Sequence, residues 1–521
     1  MVMKRLQHWS LLARVCVLCV IAACARPAPE QELEVVEQPD SSTSLSPVPT
    51  PTVVLSPAYP GAYTGTPTPN PPPAGNPNGE GVESYVVQPG ETLSLIAAVF
   101  GCTVEEIAAA SGLSDANSIG AGQALYIPTA ATETGPYLKL IPDSELVYGP
   151  AYIYFDLAGF VAEQDGYLAG YSEQVEGRTL SGAEIVQLVS QRFSVGPRVL
   201  LTLLELRSGW VTQPQPAEET LTFPLGYVQS YHEGLFQQLS WAAVRLNEGY
   251  YGWKQGDRAT ARVRTMRVSN GIRASFAPGL NPGSAGVQNC LAELSATWDE
   301  WLTLIGRDGF AATYERFFGN PFAYAVEPLL PPDLAQPELH LPWEAGYTWY
   351  FTGGPHGGWG NGSGRAALDF VPGDKIPDCT LSKEWVVAAA PGLVLRSNYG
   401  EVLVDLDGDG FEQSGWVLLY MHVNAHDRVA VGAALQRGQR IGHPSCEGGY
   451  AEATHLHFAR RYNGEWIPAG SGLAPMVLSG WTAHEDVMPY DGAVTRGDEV
   501  REACECWNEE INGLVSDNAR P

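Results

Sequence analysis

The sequence predicts a multidomain chain with a small α/β module, a mainly α central domain and a β-rich C-terminal domain. Three observations support this organisation. Residues 25–83 are rich in proline, serine, threonine and glycine, residues 135–331 show helical periodicity, and the C-terminal third has short apolar runs separated by turn residues. A chain of 521 residues, 45% of them hydrophobic, is long enough for three domains and a linker.

Residues 1–23 are predicted to be a signal peptide. Lys4 and Arg5 precede the apolar stretch 15–23, which is far shorter than the ~20 residues that span a bilayer. Its end, Ile-Ala-Ala followed by Cys24, resembles the lipobox of bacterial lipoproteins. The resemblance implies cleavage before Cys24 and attachment of lipid to its thiol, with an ordinary secretory signal as the alternative. Either interpretation places the protein outside the cytoplasm.

Residues 24–83 are predicted to be a tether between the membrane and the first domain. Repeated prolines favour extended, polyproline-like conformations at about 3.1 Å per residue, and little in the segment is apolar enough to form a core. Fully stretched, it would reach on the order of 180 Å. This length suits a linker that crosses a cell wall.

Residues 84–128 are predicted to form the small α/β module. The turn at residues 90–92 leads into apolar positions Leu93, Ile96 and Ala97, whose i, i+3, i+4 spacing indicates an amphipathic helix. The whole segment, from Tyr85-Val-Val-Gln-Pro-Gly-Glu-Thr-Leu to Ala-Leu-Tyr-Ile-Pro128, resembles a LysM domain. That resemblance implies a strand, two short helices and a strand, and binding of N-acetylglucosamine-containing glycans such as peptidoglycan. A purely structural module is the alternative.

Residues 135–331 are predicted to be mainly α. Ser181 and Glu184 have the spacing of a capping box for a helix that runs toward Phe193, and Pro197 suits the first turn of the next helix.

The segments 203–210 and 247–252 weakly resemble lysozyme-like lytic transglycosylases. That family has its catalytic acid directly before Ser-Gly, where this chain has Arg207. Glu205 is two residues back, about 200° around the helix from Arg207, so it cannot simply take over the role. We therefore expect a degenerate glycan-binding or spacer domain, with an unrelated helical domain as the alternative.

Three histidine sites and an aspartate lie close together in the C-terminal third. In order they are His356, Asp369, His422 and the pair His455 and His457. Side chains at i and i+2 of a strand point to one face, so the two histidines of the pair can serve one site. The surrounding apolar runs are separated by turn residues and predict strands, which cover 386–395, 401–405, 416–420 and 455–460.

This ordered set resembles the lysostaphin-type, LytM-like zinc endopeptidases, and most closely their beta-lytic branch, from about Trp343 to Cys504. The resemblance implies a mostly antiparallel β domain over residues 335–507, followed by a short tail over 508–521. It also implies that three residues bind one zinc ion and that two histidines stand beside it. The implied ligands are His356, Asp369 and His457, and the implied catalytic histidines are His422 and His455.

Two imidazoles and a carboxylate leave a fourth tetrahedral position for water, as in catalytic zinc sites. Zinc would lower the pKa of that water toward about 7, His455 would help to deprotonate or orient it, and His422 would donate to the oxyanion. The expected reaction is hydrolysis of peptide bonds in peptidoglycan cross-links or stem peptides. The alternative is a scaffold or hydrolase activator without turnover, built on an inactive peptidase fold.

One position departs from the family pattern. Most members have the first histidine four residues before the aspartate, where this chain has Arg365. Arginine does not release its proton to bind zinc. The beta-lytic branch has a similar Gly-Gly-x-His and a long excursion before Leu-Asp, so the resemblance makes His356 the missing ligand. A glycine-rich stretch, residues 357–364, separates it from Asp369.

Other polar clusters in this region have simpler interpretations. Asp405, Asp407 and Asp409 alternate as in calcium loops, but Trp416 stands where such a loop has its glutamate, so a β-hairpin turn is favoured over calcium. The remaining histidines of the C-terminal third are interpreted as solvated loop residues, and they are His340, His426, His443 and His484.

The cysteines and the charge bear on compartment and partners. After loss of the leader and lipidation of Cys24, the remaining cysteines could form disulfides or stay as buried thiols, and they are Cys102, Cys290, Cys379, Cys446, Cys504 and Cys506. The beta-lytic resemblance favours Cys379 with Cys446. A formal net charge of −28 argues against nucleic acid or acidic membrane surfaces as partners.

Overall fold

The computed structural model describes residues 82–518, except for 88–90, 100–101, 114, 118, 129–132, 256–264 and 269–270. The predicted signal peptide, the lipidation site Cys24 and almost all of the predicted tether lie outside the described residues. Within them, no helix is both long and apolar enough to cross a membrane.

The small N-terminal module has the predicted order of strand, helix, helix and strand. Its elements are β1 (Val82–Val86), α1 (Leu93–Val99), α2 (Val104–Ser111) and β2 (Ala124–Pro128). The two strands pair in antiparallel fashion, from Val82 with Pro128 to Val86 with Ala124. Thr103 begins α2 with a complete capping box to Glu106, and Gly112 ends it in the left-handed conformation. Leu93, Ile96 and Ala97, the predicted apolar face of α1, are buried.

The central region is mainly helical, as predicted. Its helices are α3 (Asp143–Leu146), α4 (Leu157–Gln164), α5 (Tyr167–Gly170), α6 (Gly182–Phe193), α7 (Pro197–Ser208), α8 (Leu235–Gln255), α9 (Pro282–Glu293), α10 (Trp298–Ile305) and α11 (Ala312–Phe318). Short strands lie between them, and these are β3 (Glu133–Thr134), β4 (Ser172–Val175), β5 (Arg178–Ser181), β6 (Thr265–Arg267) and β7 (Arg273–Ser275). Ser181 and Glu184 form the predicted capping box of α6, and Pro197 is in the first turn of α7.

The C-terminal region is mostly antiparallel sheet. Its strands are β8 (Thr348–His356), β9 (Ala367–Val371), β10 (Val386–Val387), β11 (Gly392–Asn398), β12 (Glu401–Asp405), β13 (Trp416–Met421), β14 (Ala434–Leu435), β15 (Arg440–Gly442), β16 (Leu456–Tyr462), β17 (Glu465–Trp466), β18 (Val477–Leu478), β19 (Trp481–Glu485), β20 (Gly492–Arg496), β21 (Glu499–Glu502) and β22 (Gly513–Val515). The largest sheet has the order β14-β11-β12-β13-β16-β9-β8-β22, with β17 beside β16. A second sheet runs β18-β19-β20-β21, and β10 pairs with β15.

The central strands of the large sheet are buried on both faces. On β12 and β13, Leu403 and Leu419 belong to the core formed with the central helices, whereas Val404 and Leu418 belong to the core on the opposite face. Because neighbouring residues of a strand point to opposite faces, two-sided burial requires a continuous apolar run rather than an alternating one. The run 416–421 has that character because the central helices cover the face that would otherwise be in water.

The central and C-terminal regions therefore share one core. Trp466 is fully buried among the central helices, its backbone N–H donates to the Tyr251 hydroxyl, and its indole donates to the Phe193 carbonyl. Lys254 of α8 pairs with the buried carboxylate of Glu465. An apolar, hydrogen-bonded contact of this kind resembles a domain interior more than a transient interface.

Candidate metal centre

Asp369 and His457 are brought together by strand pairing. They lie directly opposite one another on β9 and β16. Asp369 also faces Gly353 on β8, the strand that ends at His356. Three adjacent strands thus bring one carboxylate and two imidazoles together.

The three donor atoms are close enough to share one ion. His356 Nε2 lies 3.0 Å from His457 Nδ1, and Asp369 Oδ1 lies 3.3 Å from the former and 3.1 Å from the latter. Ligands at about 2.0 Å from a tetrahedral zinc ion stand roughly 3.3 Å apart, so the set fits zinc without rearrangement. Other side-chain groups in the described residues that could hold a metal are confined to the Asp405 turn.

Backbone carbonyls fix the orientation of the His356 and His457 rings. His356 Nδ1 donates to the Gly354 carbonyl at 2.8 Å, and His457 Nε2 donates to the Gly358 carbonyl at 3.0 Å. Each ring then turns its unprotonated nitrogen toward Asp369. Metal-binding histidines are commonly oriented by such a second hydrogen bond. Two lone pairs and a carboxylate oxygen that converge in this way repel one another unless a cation lies between them.

His422 and His455 stand beside this group. His455 itself forms an isolated antiparallel bridge with Ser445, and it points to the same face as His457 two residues later. Its Nδ1 donates to the Ala453 carbonyl at 2.8 Å, and its Nε2 lies 4.0 Å from Asp369 Oδ1. His422 directly follows β13, and its ring centroid is 4.4 Å from that of His455.

The backbone of His422 is strained. Its φ is +66°, a conformation that costs a non-glycine residue on the order of 1–2 kcal/mol. The turn directs its ring toward the site, where Nδ1 donates to the Glu447 carbonyl at 3.2 Å. The proton-free nitrogen is then Nε2. The predicted role of His422 as a donor to an oxyanion requires a proton on Nε2, which this hydrogen bond does not favour.

Burial and neighbouring groups shift the pKa values of three side chains in the site. Burial alone would raise the pKa of Asp369, but the nearby His356 and His455 rings and the hydrogen-bonded His457 hold it well below its usual range. Burial, together with the neighbouring His455 and His457, lowers the pKa of His422 to about 3. Burial also lowers the pKa of His457. The low pKa values of Asp369 and His457 favour a carboxylate beside a neutral imidazole, which are the protonation states that metal binding requires.

Two features near the site escaped prediction. The Tyr490 ring stacks on the His356 ring, with centroids 4.1 Å apart and an angle of 19° between the planes. The glycine-rich stretch supplies the Gly358 carbonyl to His457 and packs against the central domain, where Cβ atoms placed on Gly360 or Gly362 would meet Phe193, Val244 and Glu248. No local sequence pattern indicates either contact, because both join segments that are far apart in the chain.

The predicted disulfide joins Cys379 to Cys446. A second joins Cys504 to Cys506, while Cys102 and Cys290 retain their thiols.

The acidic turn has local partners for its carboxylates. Asp405 accepts hydrogen bonds from the backbone N–H groups of Asp407, Gly408 and Gly410, and Asp409 accepts one from Ser414. These local hydrogen bonds stabilise a turn, as the hairpin interpretation predicts, and they give the calcium alternative no support.

His426 is exposed, as predicted, whereas His443 is buried, its Nδ1 donates to the Glu384 carbonyl, and its ring packs on Trp385. The prediction that His443 is a solvated loop residue was therefore wrong, because its side chain is buried.

The lysozyme-like segments of the central domain have structural partners. Glu205 accepts hydrogen bonds from Thr212 and pairs with Arg316, and Arg207 donates to the Leu225 carbonyl. Tyr250 and Tyr251 contact the C-terminal region through Glu465 and Trp466. The likeness of this domain to lysozymes stays a prediction.

Comparison with known proteins matches three domain families. Residues 85–128 match the LysM domain, residues 139–332 match the family described as LasA, N-terminal domain, and residues 379–468 match peptidase family M23. Two relatives are the protease LasA of Pseudomonas aeruginosa strains UCBPP-PA14 and PAO1. Each is 28% identical, over 367 and 368 residues respectively, and covers 66% of this chain and 79% of the relative.

Two solved structures are also similar to part of this chain. The M23 metalloprotease pseudoalterin from the deep sea is 24% identical and covers 34% of this chain and 99% of its own, with a TM-score of 0.27. The catalytic domain of lysostaphin from Staphylococcus simulans is 28% identical and covers 22% of this chain and 81% of its own, with a TM-score of 0.16. The chain contains, in order, a LysM domain, a LasA N-terminal domain and a family M23 peptidase domain.

Proposed function

We propose that this chain is a zinc metalloendopeptidase that hydrolyses peptide bonds in peptidoglycan cross-links or stem peptides. It acts outside the cytoplasm, anchored by lipid on Cys24 and extended by the tether of residues 24–83. His356, Asp369 and His457 hold the zinc ion, and His422 and His455 act on the reacting groups. The LysM, LasA N-terminal and M23 matches support this combination of wall binding and peptidase activity.

One observation carries the proposal. Three donor atoms converge within 3.0–3.3 Å of one another, and a backbone carbonyl orients each of the two imidazoles. Such an arrangement of two neutral imidazoles and one carboxylate leaves room for a fourth ligand, as catalytic zinc sites do. Bound zinc would supply Lewis acidity and lower the pKa of a coordinated water.

The two remaining histidines supply proton transfer. His455 presents the unprotonated Nε2 toward the site, and its Nδ1 proton is held by the Ala453 carbonyl. It can therefore accept the proton of an attacking water. The neutral ring of His422 can donate to an oxyanion in the tautomer that carries its proton on Nε2, which requires Nδ1 to release its hydrogen bond to the Glu447 carbonyl. We assign acceptance of the proton from water to His455 and hydrogen-bond donation to the oxyanion to His422.

The LysM domain explains how the peptidase would find its substrate. A domain that binds wall glycans keeps its neighbour at high local concentration of cross-linked peptides without a new catalytic contact.

The test uses the purified chain with His356→Ala and His455→Ala variants. Zinc content is measured by elemental analysis, and activity by soluble peptides released from purified peptidoglycan. We expect about one zinc per wild-type chain, as a single site of this kind binds, and we expect release of peptides. His356→Ala should lose both metal and activity, whereas His455→Ala should keep the metal and lose turnover. A wild-type chain that binds the wall but holds no zinc and releases nothing would favour the scaffold alternative.

A further inference from the structure

Arg365, which stands where most of the family has a ligand, holds a loop. Its two terminal guanidinium nitrogens donate to the backbone carbonyls of Asp486 and Val487, each at 2.7 Å. These residues belong to a segment, here called the strap, that comprises the last residue of β19 and the connection to β20, residues 485–491. The residue that cannot bind the metal therefore anchors the segment that passes beside the metal site.

The middle of the strap packs against the LysM domain through one side chain. Met488 is only 4% exposed, and its side chain belongs to the LysM core. The other members of that core are Tyr85, Val87, Leu93, Ile96, Ala97, Ile107, Leu125 and Ile127. A methionine that completes the core of another domain fixes the position of its own backbone, because burial of such a side chain is worth about 1.5–3 kcal/mol.

The far end of the strap lies on the metal site. Tyr490 stacks its ring on His356, and its carbonyl accepts a hydrogen bond from the Gly354 N–H at 2.6 Å. The Gly354 carbonyl in turn orients His356 Nδ1 at 2.8 Å. Met488 and Tyr490 are two residues apart, which corresponds to about 7 Å of extended chain. The path from the LysM core to a metal ligand is therefore very short.

A second contact holds the LysM domain in place. Glu106 of α2 pairs with Arg267 and Arg273, which belong to β6 and β7 of the central domain. The Arg273 guanidinium also donates to the Pro128 carbonyl at the end of β2. The LysM domain is thus held by charged contacts to the central domain and by an apolar contact to the strap.

We propose that the docked LysM domain positions the metal site through the strap, so that it supports turnover as well as wall binding. Met488 and Arg365 are positioning residues that act on His356 through Tyr490 and Gly354. This inference rests on the proposed zinc peptidase function. It differs from targeting in one respect, because a positioning effect persists on a substrate that contains no sugar.

The experiment compares Met488→Ala, Met488→Leu and Arg365→Met in the full chain. Val500→Ala and Arg178→Met serve as matched controls, since both residues are exposed. Turnover is measured on purified peptidoglycan and on a soluble, sugar-free peptide, either a stem peptide or a glycine-rich peptide, whichever the wild type cleaves. Zinc affinity is measured by competition with a chromophoric chelator. Hydrogen exchange of residues 353–356 and 485–491 is followed in the metal-free protein.

We expect Met488→Ala and Arg365→Met to lower kcat and zinc affinity by about 10-fold to 100-fold, as loss of support around a metal ligand does, with KM changed less than about twofold. Exchange should rise in both segments. Met488→Leu should restore most of each loss, and the controls should match the wild type.

Unchanged kcat, zinc affinity and exchange in both positioning variants would overturn the inference while leaving the peptidase proposal intact. A loss seen on intact wall but absent on the sugar-free peptide would also overturn it, because it would show targeting alone. A wild type without zinc or cleavage would overturn the proposed function, and the inference with it.

Discussion

Asp369 and His457 face each other across two paired strands, whereas His356 lies where β8 leaves the sheet and the glycine-rich stretch begins. The strand half of the site is fixed by backbone pairing inside the sheet. The loop half depends on contacts from elsewhere in the chain, namely the central domain beneath residues 357–364 and the strap beside His356. Ligands on strands need only the correct register, while a ligand on a loop needs tertiary support.

This difference predicts where changes are tolerated. A change in the strand half should act directly on the metal, because its two members are both proposed ligands in contact with each other. A change beneath the loop half should act at a distance, by letting His356 and the Gly358 carbonyl move. The following predictions run from the largest expected effect to the smallest.

Asp369→Asn should have the largest effect, because it keeps the shape of the side chain and removes the anionic member of the proposed ligand set. We expect zinc affinity to fall by more than about 100-fold, since changes outside a ligand set already cost about 10- to 100-fold. Turnover should vanish with it. Chelator competition measures the affinity, with the exposed Asp427→Asn as control. An Asn variant that retains zinc would show that Asp369 is not a ligand.

Removal of the Cys379–Cys446 disulfide tests whether the C-terminal region can lose stability while the strand half of the site keeps its metal. The bridge joins residues 67 apart, and loss of the constraint on such a loop in the unfolded chain costs about 4 kcal/mol in the chain-entropy account. We expect that loss in chemical denaturation of the double Cys→Ala variant. Zinc stoichiometry should stay unchanged in native buffer. Loss of the Cys504–Cys506 bridge, which spans two residues, should cost less.

Lys254→Met loosens the shared core beneath the site. It leaves the carboxylate of Glu465, 2% exposed, without its cation, and an unpaired buried charge costs about 3 kcal/mol. Burial raises the pKa of Glu465 above its ordinary 4.5, so the destabilisation should grow as pH rises through the raised value and shrink toward pH 4.5.

Denaturation at several pH values measures this effect. Lys254→Met combined with Glu465→Gln should recover part of the loss, because no charge is then left alone. A pH-independent loss would assign the effect to packing instead.

Gly362→Ala tests the loop half alone. Its φ is +88°, and a Cβ there would lie 3.1 Å from the Val244 carbonyl oxygen and 2.6 Å from Glu248 Cγ. The loop must then shift away from α8, and we expect turnover to fall about tenfold, because small displacements around a site cost that much or more. Gly408→Ala is the matched control, with a φ of +73° and nothing within 4 Å of the added Cβ. Equal activity losses in both variants would refute a specific role for the loop contact.

His426→Ala should have the smallest effect. Its side chain is 71% exposed and touches neither half of the site. We expect zinc affinity and turnover within about twofold of wild type and a stability change under about 0.5 kcal/mol, as for ordinary surface positions. A large loss in a turnover assay would mean that a further histidine belongs to the site.

Much of the architecture could be predicted from local sequence. The capping box at Ser181 and the first-turn proline at position 197 are short-range signals, and both operate as predicted. The buried apolar runs of β12 and β13 also indicated strands correctly. The spacing of His455 and His457 placed both rings on one side of a strand, because alternation is a property of the extended backbone itself.

Contacts between distant segments could not be predicted in this way. Burial of the large sheet by the central helices, the Gly358 carbonyl on His457 and the Tyr490 ring on His356 each join residues with no local signal in common. The burial of His443 was missed for the same reason, because Trp385 and the Glu384 carbonyl reach it from a different part of the fold.

The sequence by itself determined the order of the domains, the elements within them and the types of side chain available to bind a metal, since these follow from composition and short-range periodicity. The family resemblance anticipated that His356 meets Asp369 and His457, but tertiary structure alone decided that Arg365 holds the strap and that Met488 completes the core of the LysM domain. Each of these depends on how packed surfaces bring remote segments within a few ångströms, and no local propensity encodes that distance.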